Sequence, residues 1–306
     1  MIYDIRHLTL YEYGSTVTFS HCALRLLPTD GPGQTVLSSE LRITPEPAQT
    51  VERTCFFGNR LTILTIGTAH RELSVEVTAS VEIDRRDPEG PKESQAFESV
   101  REEAFVSASL DRSSPAHFLH ASRLVPRFNP VTDYARESFP ARRPVLDGAK
   151  ELMRRIKADF KYDTKATVVS TPISEAFSKR HGVCQDFAHI MIAGLRGLGV
   201  PAAYISGYIR TIPRPGKKRL EGADAMHAWV SLWCGKSHGW VGLDPTNAMM
   251  IGNDHIVLAK GRDYADISPV AGIVLAHASR MSMCGSMLCR ECDTRISGES
   301  DGMDSP

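Results

Sequence analysis

A thiol, an imidazole and a carboxylate occur in that order in the second half of the chain, each in a setting suited to reaction rather than packing alone. Cys184 stands in His181-Gly182-Val183-Cys184-Gln185-Asp186-Phe187-Ala188, His227 in Met226-His227-Ala228-Trp229-Val230, and Asp244 in Trp240-Val241-Gly242-Leu243-Asp244-Pro245-Thr246. Such a set attacks amide or ester carbonyls. The thiol is the nucleophile, the imidazole moves its proton, and the carboxylate fixes the imidazole's tautomer and orientation. The chemistry expected is acyl transfer through a thioester.

Each residue also has a plainer use. An apolar-flanked cysteine is often a core residue, and a lone strand histidine is often a satisfied structural one. Position favours the reactive use. Gly182 lets the chain turn into a helix that begins near Cys184, and the exposed N–H groups and dipole of a helix start favour a thiolate and an oxyanion. If 226–233 and 238–244 form a hairpin closed by a two-residue Gly235-Lys236 turn, His227 falls directly opposite Asp244 on one sheet face. Trp229 and Trp240 would lie near them. With Gln185, they are the residues expected to contact substrate, although both tryptophans would serve a core equally well.

The elements around these residues divide the chain in four. Residues 1–84 alternate as half-buried strands do, most clearly Leu73, Val75, Val77, Ala79, Val81 and Ile83 against polar neighbours. Turns at Pro28-Thr29-Asp30-Gly31-Pro32-Gly33 and Phe57-Gly58-Asn59 punctuate an all-β domain, expected to be a sandwich. Residues 85–144 read as a linker and helical connection, with a charged, proline-bearing start and a helix at 115–123. Residues 145–274 hold the catalytic core. Its expected helices are 145–159, one opening at Thr171-Pro172, and one from Cys184 to Gly199 and Pro201; its strands are near 202–210, 226–233 and 238–244. Residues 275–306, polar and rich in Ser, Met, Cys, Gly and Asp, are expected to be disordered.

Composition narrows the partners. Of 306 residues, 42% are hydrophobic and 24% charged, and 36 basic residues balance 36 acidic ones. That balance gives no reason to expect nucleic acid or an anionic membrane as partner. No apolar run approaches the roughly 20 residues that span a bilayer. The first residues look like a strand and not a signal peptide, so a cytoplasmic location is expected. Seven cysteines, at 22, 55, 184, 234, 284, 289 and 292, follow no disulfide framework. Cys284, Cys289 and Cys292 offer three metal ligands with no fourth nearby, His277 being distant, and no His-x3-His pattern flanks Cys184. No metal or cofactor is expected.

Taken together, Phe160-Lys161-Tyr162-Asp163, Ser170-Thr171-Pro172, Gly182-Val183-Cys184-Gln185-Asp186-Phe187-Ala188-His189, Ser206-Gly207-Tyr208, His227-Ala228-Trp229-Val230 and Asp244-Pro245-Thr246-Asn247 resemble the bacterial transglutaminase-like proteins. Leu24-Arg25-Leu26-Leu27-Pro28 and Phe57-Gly58-Asn59 extend the resemblance into the first half, so that it covers roughly residues 1–273. It implies an α+β fold in which an N-terminal β sandwich precedes a papain-like core, a helix bearing the Cys packed on an antiparallel sheet bearing the His and Asp. It also implies a triad of Cys184, His227 and Asp244 acting on a protein or peptide substrate. Calcium sites like those of animal transglutaminases are not implied. Members usually finish on a Gly-rich turn and an alternating strand, which the tail after Gly272-Ile273 lacks; a frameshift in the coding sequence would produce such a change.

Two functions follow as expectations. The first is an enzyme resolving its thioester with water or with an amine, hydrolysis of a peptide or isopeptide bond being favoured slightly over cross-linking. The second is a catalytically silent binding module that keeps the cleft, against which the intact Cys–His–Asp set argues.

Overall fold

The structure, a computed structural model, describes residues 1–85, 91, 93–210 and 226–276, together with the backbone alone of 282–283 and 288–299. Period-two alternation in the first third produces β1 (Ile2–Leu24), β2 (Gln34–Thr44), β3 (Gln49–Thr54), β4 (Arg60–Ile66) and β5 (His70–Ile83). Leu73, Val75, Val77, Ala79, Val81 and Ile83 are all buried, as their spacing predicts. The long β1 serves two half-sheets. Its residues 2–12 pair with β5, which carries β2, and its residues 20–24 pair with β4, which carries β3. Cys22, Leu24, Leu64 and Ile66 of one half meet Leu73, Val75 and Val77 of the other in a shared core. This is the expected sandwich.

Helices dominate the middle of the chain: α1 (Phe97–Phe105), a 3-10 turn (Pro115–Phe118), α2 (Asn129–Arg136), α3 (Val145–Asp159), α4 (Ile173–Lys179) and α5 (Cys184–Gly197). Short parallel strands β6 (Lys161–Tyr162) and β7 (His181–Gly182) bracket α4. Then come β8 (Ala202–Ile209), β9 (His227–Trp233), β10 (Trp240–Asp244), β11 (Met249–Met250) and β12 (His255–Gly261), which form an antiparallel sheet in the order β11-β10-β9-β8-β12. α5 is buried along almost its whole length, as a helix that is apolar on nearly every side must be. Its Phe187, Met191 and Leu195 share one core with Val131 and Tyr134 of α2, Leu152 of α3, Phe177 of α4, and Ala228, Val230 and Leu232 of β9.

Three expectations need correction. The helix at 115–123 is only the 3-10 turn, because Ser122 N–H closes a turn onto Val125 O just before Pro126. The stretch expected to be a connection instead builds the core of the second domain: Phe97 and Val100 of α1 and Val131, Tyr134 and Ala135 of α2 are buried in it. Residues 270–274, expected in that core, and 275–276, expected in the tail, form β13 (Val270–Ala276), which pairs with the second half of β1 in the N-terminal sheet. At the close contact, a Cβ on Gly272 would lie 2.3 Å from His21 O.

The tail expected to be disordered supplies strands too. β14 (Ser282–Met283) pairs with β13, and β15 (Leu288–Glu299) runs antiparallel to residues 2–12 of β1. An open strand edge offers backbone donors and acceptors that any extended segment can meet, whatever its side chains. The side chains of His277, Cys284, Cys289 and Cys292 lie outside the described residues.

The two sheets meet in a small apolar seam, where Tyr3, Ile5, Val81 and Ile83 pack on Tyr208, Ile256 and Leu258. Polar contacts lock the same seam. Gln34 exchanges two hydrogen bonds with the backbone of Val257, both 2.8 Å, and Asn59 does the same with Lys260, both 2.8 Å. Each side-chain amide stands in for a neighbouring strand along the outer edge of β12. Asn59→Ala leaves the Lys260 N–H and C=O without these partners, and should lower the unfolding free energy by about 2 kcal/mol, read as a shifted urea midpoint. An unchanged midpoint would show that the edge does not need the amide.

Candidate active site

The first turn of α5 sets Cys184. The Asp186 carboxylate accepts the Val183 N–H at 2.8 Å and the Thr167 hydroxyl at 2.6 Å. Gly182 has to be glycine, since a Cβ there would sit 2.6 Å from Asp186 Oδ2. Burial raises the Asp186 pKa while these hydrogen bonds pull it back. The turn is thus closed around a carboxylate, with Cys184 as the first helical residue and nearly buried.

His227 and Asp244 are both fully buried, and His227 Nε2 donates to Asp244 Oδ2 at 2.9 Å. They are not directly opposite. β9 pairs with β10 as Trp233↔Trp240 and Val230↔Leu243, which puts Asp244 across from Trp229 and makes it the diagonal neighbour of His227. The cause is the connection, which occupies residues 234–239 instead of the two-residue turn expected, with Cys234 N–H bonded to Gly239 O and positive φ at Gly235 and Gly239. A slip of two residues keeps every side chain on its face, so the pair survives it.

Asp244 collects five donors. Oδ2 accepts from His227 Nε2, from Asn247 Nδ2 at 2.8 Å and from His255 Nε2 at 3.4 Å, while Oδ1 accepts from the N–H groups of Thr246 at 2.9 Å and Asn247 at 3.2 Å. Burial alone would protonate the carboxyl, but His227, His255 and these hydrogen bonds hold it well below the usual carboxylate range. For His227, burial opposes the charge; Asp244 and the Cys184 side chain outweigh it, and the imidazole is pushed up to about 10. Its Nδ1 is buried without a well-formed hydrogen-bond partner, and the Cys184 side chain is among the groups that raise its pKa. Burial pushes the thiol of Cys234, in the same core, up to about 12.

His255 escaped sequence reasoning. It is fully buried, its pKa is lowered chiefly by burial, and it reaches Asp244 although β8 and β9 lie between β12 and β10 in the sheet order. Trp229 fills the space between the two imidazoles, with ring centroids 6.2 Å from His227 and 5.4 Å from His255. Gly207 admits it, since a Cβ there would lie 2.3 Å from the indole and 2.0 Å from Ile256 O.

The residues expected to contact substrate are thus distributed. Trp229, 2% exposed, packs behind the imidazoles. Trp240 is four residues along β10 from Asp244, about 13 Å at strand rise, and its Nε1–H donates to Ser113 O at 3.0 Å. Gln185 is beside Cys184 and donates from Nε2 to Val169 O at 3.1 Å. That bond brings two exposed valines, Val168 and Val169, to the helix start, apolar groups the sequence did not single out. Among the histidines near Cys184 in sequence, His189 is a core residue that accepts the Tyr264 N–H at 3.2 Å and whose pKa burial lowers to about 4. Residues 211–225, which lead into His227, lie outside the described residues.

Known proteins share this arrangement of segments. The bacterial transglutaminase-like N-terminal region matches residues 3–82, and the transglutaminase-like superfamily matches residues 132–245. An uncharacterized protein of Mycobacterium tuberculosis is 35% identical over 283 residues, 90% of this chain and 88% of that protein. A protein-glutamine gamma-glutamyltransferase of Pseudomonas aeruginosa is 37% identical over 71 residues, 23% of this chain and 10% of that protein. The crystal structure of a candidate cysteine protease from Cytophaga hutchinsonii has the same fold, with TM-score 0.69 and 21% identity over 98% of this chain and 92% of that one.

The buried pair should leave a signature in stability. His227 is held above its unfolded value of about 6.5, so its contribution is complete below that pH and is lost as pH rises through about 10. Asp244 is held below its unfolded value of about 3.9, so its contribution is present above that pH and is lost in acid. Asp244→Asn should be less stable at neutral pH and lack the alkaline loss. Urea unfolding of both proteins at about pH 7 and about pH 10.5 reads this; equal alkaline losses would assign the effect elsewhere.

Proposed function

This chain belongs to the transglutaminase-like superfamily, and from that premise we propose that it is a cysteine-dependent acyl-transfer enzyme acting on peptide or side-chain carboxamide bonds. The observation that carries the reading is the fully buried His227–Asp244 hydrogen bond at 2.9 Å, with the remaining imidazole nitrogen left for Cys184 at the start of α5.

Cys184 Sγ attacks the carbonyl carbon, forming a C–S bond while the carbonyl π electrons move to oxygen. The first-turn N–H groups of α5 suit that oxyanion, because a helix start leaves them without intrahelical acceptors. His227 takes the thiol proton and gives it to the departing amine as the C–N bond breaks, leaving a thioester. Water or a primary amine then attacks the thioester, its proton passes to His227, and the thiolate leaves and is reprotonated. Asp244 keeps Nε2–H engaged throughout, so that proton exchange runs through Nδ1. The strong affinity of His227 for a proton supports the first transfer. Val168 and Val169 offer an apolar approach for the acyl side.

The test is iodoacetamide labelling of Cys184 at about pH 6, in the native chain and in His227→Ala. Rapid labelling that falls by about 100-fold or more in the variant is the expected result. Slow labelling that ignores the substitution would mean that no working Cys–His pair exists, and would sink the reading.

A further inference from the structure

A cavity of ≈ 640 Å³ lies at the seam of the two sheets, and the acyl-transfer steps above make no use of it. Its volume is in the range of small-molecule sites, which favour such seams. Trp229, Ser231 and Gly242 line it from the catalytic sheet, on the side of β9 opposite the Ala228, Val230 and Leu232 that pack in the helical core. From the N-terminal sandwich, loops 29–33 and 57–59 line it. These loops are the two turns that the sequence marks out in an otherwise regular β domain.

Within the cavity the Lys260 ammonium rests on aromatic faces. The Lys260 ammonium lies 3.9 Å from the Trp240 ring centroid and 4.7 Å from that of Phe118, and among the described residues no carboxylate is within 4.0 Å of it. Asn59 fixes its backbone through the paired hydrogen bonds at the seam. Burial lowers its pKa to about 8, as expected of a half-desolvated ammonium whose neighbours are aromatic faces. Arg112 and Arg85 also line the cavity, with Asp30 and Asp84. Arg85 donates to the carbonyls of Gly252 and His255, and Asp30 accepts the Val36 N–H.

We propose that this cavity binds an organic carboxylate with an apolar or aromatic body, the carboxylate seated on Lys260 and the body against Trp240 and Phe57. The same chemistry is found in a free aryl acid and in the C-terminal residue of a peptide. The N-terminal domain then has a task of its own, since its two loops complete the site. Trp229 lines the cavity and also packs on His227 and His255, so an occupant touches a side chain that the active site leans on.

Binding is measured on the full chain carrying Cys184→Ala, so that its failure says nothing about acyl transfer and the failure of acyl transfer says nothing about it. The probes are 3-phenylpropanoate, the alcohol 3-phenylpropan-1-ol, and the tripeptide Gly-Gly-Phe, followed by tryptophan fluorescence and calorimetry. The acid should bind one to one. The alcohol, and the acid on Lys260→Met, should bind about tenfold or more weakly, a charge-assisted contact having been lost. Tighter binding of Gly-Gly-Phe than of the acid assigns the site to peptide C-termini, and the reverse to free acids. Acid and alcohol binding alike, Lys260→Met binding as the parent does, or no saturation below about 10 mM would overturn the proposal.

Discussion

One carboxylate, buried and charged, dictates the layout of the second half of the chain. Taking Asp244 out of water costs several kcal/mol, which only a full set of donors offsets. The five it has come from three places: His227 on β9, His255 on β12, and the turn of Thr246 and Asn247 immediately after β10. Each place is thereby constrained. The chain must turn sharply after Pro245, which it does with Ala248 at φ 52°, and β12 must begin where its first residue can reach back. The same charge keeps a buried imidazole protonatable, because desolvation alone would drive His227 to its neutral form.

What could be read from the sequence follows from the range of the forces involved. Local patterns carried the alternation of β5, the amphipathic stripe of α3, and the glycine turn into α5 with Cys184 at its start. The His227–Asp244 pairing was legible because it depends on strand parity, and the six-residue connection shifted the register by two without changing the face. His255 was not legible. It stands eleven positions beyond Asp244 on a strand that is not adjacent in the sheet, and a histidine opening an apolar strand carries no periodic signal. α1 and α2 were missed because each is short, and their packing under α5 is a tertiary gain that local propensity does not announce.

The tail shows the opposite limit. Its composition argued for disorder, yet Leu288–Glu299 runs beside β1 in antiparallel backbone pairing. Composition reports whether side chains can form a core; it says nothing about a vacant ladder edge elsewhere in the chain. β13 answers the same demand farther along β1, so the long first strand is covered on this edge by the end of the chain and on the other by β4 and β5.

The seam ties these observations to function. An edge strand such as β12 needs cover, and the sandwich provides it through Gln34 and Asn59, side chains that donate and accept as a neighbouring strand would. Such cover is discontinuous: it meets Val257 and Lys260 and leaves space beside them. Trp229 is in contact with that space and with both imidazoles, and it can be there only because Gly207 has no side chain. The constraint that lets an indole stand behind the His227–Asp244 pair is therefore also the one that brings the wall of the candidate site to the boundary between the domains. The N-terminal β domain thus stands one side chain away from the His227–Asp244 pair.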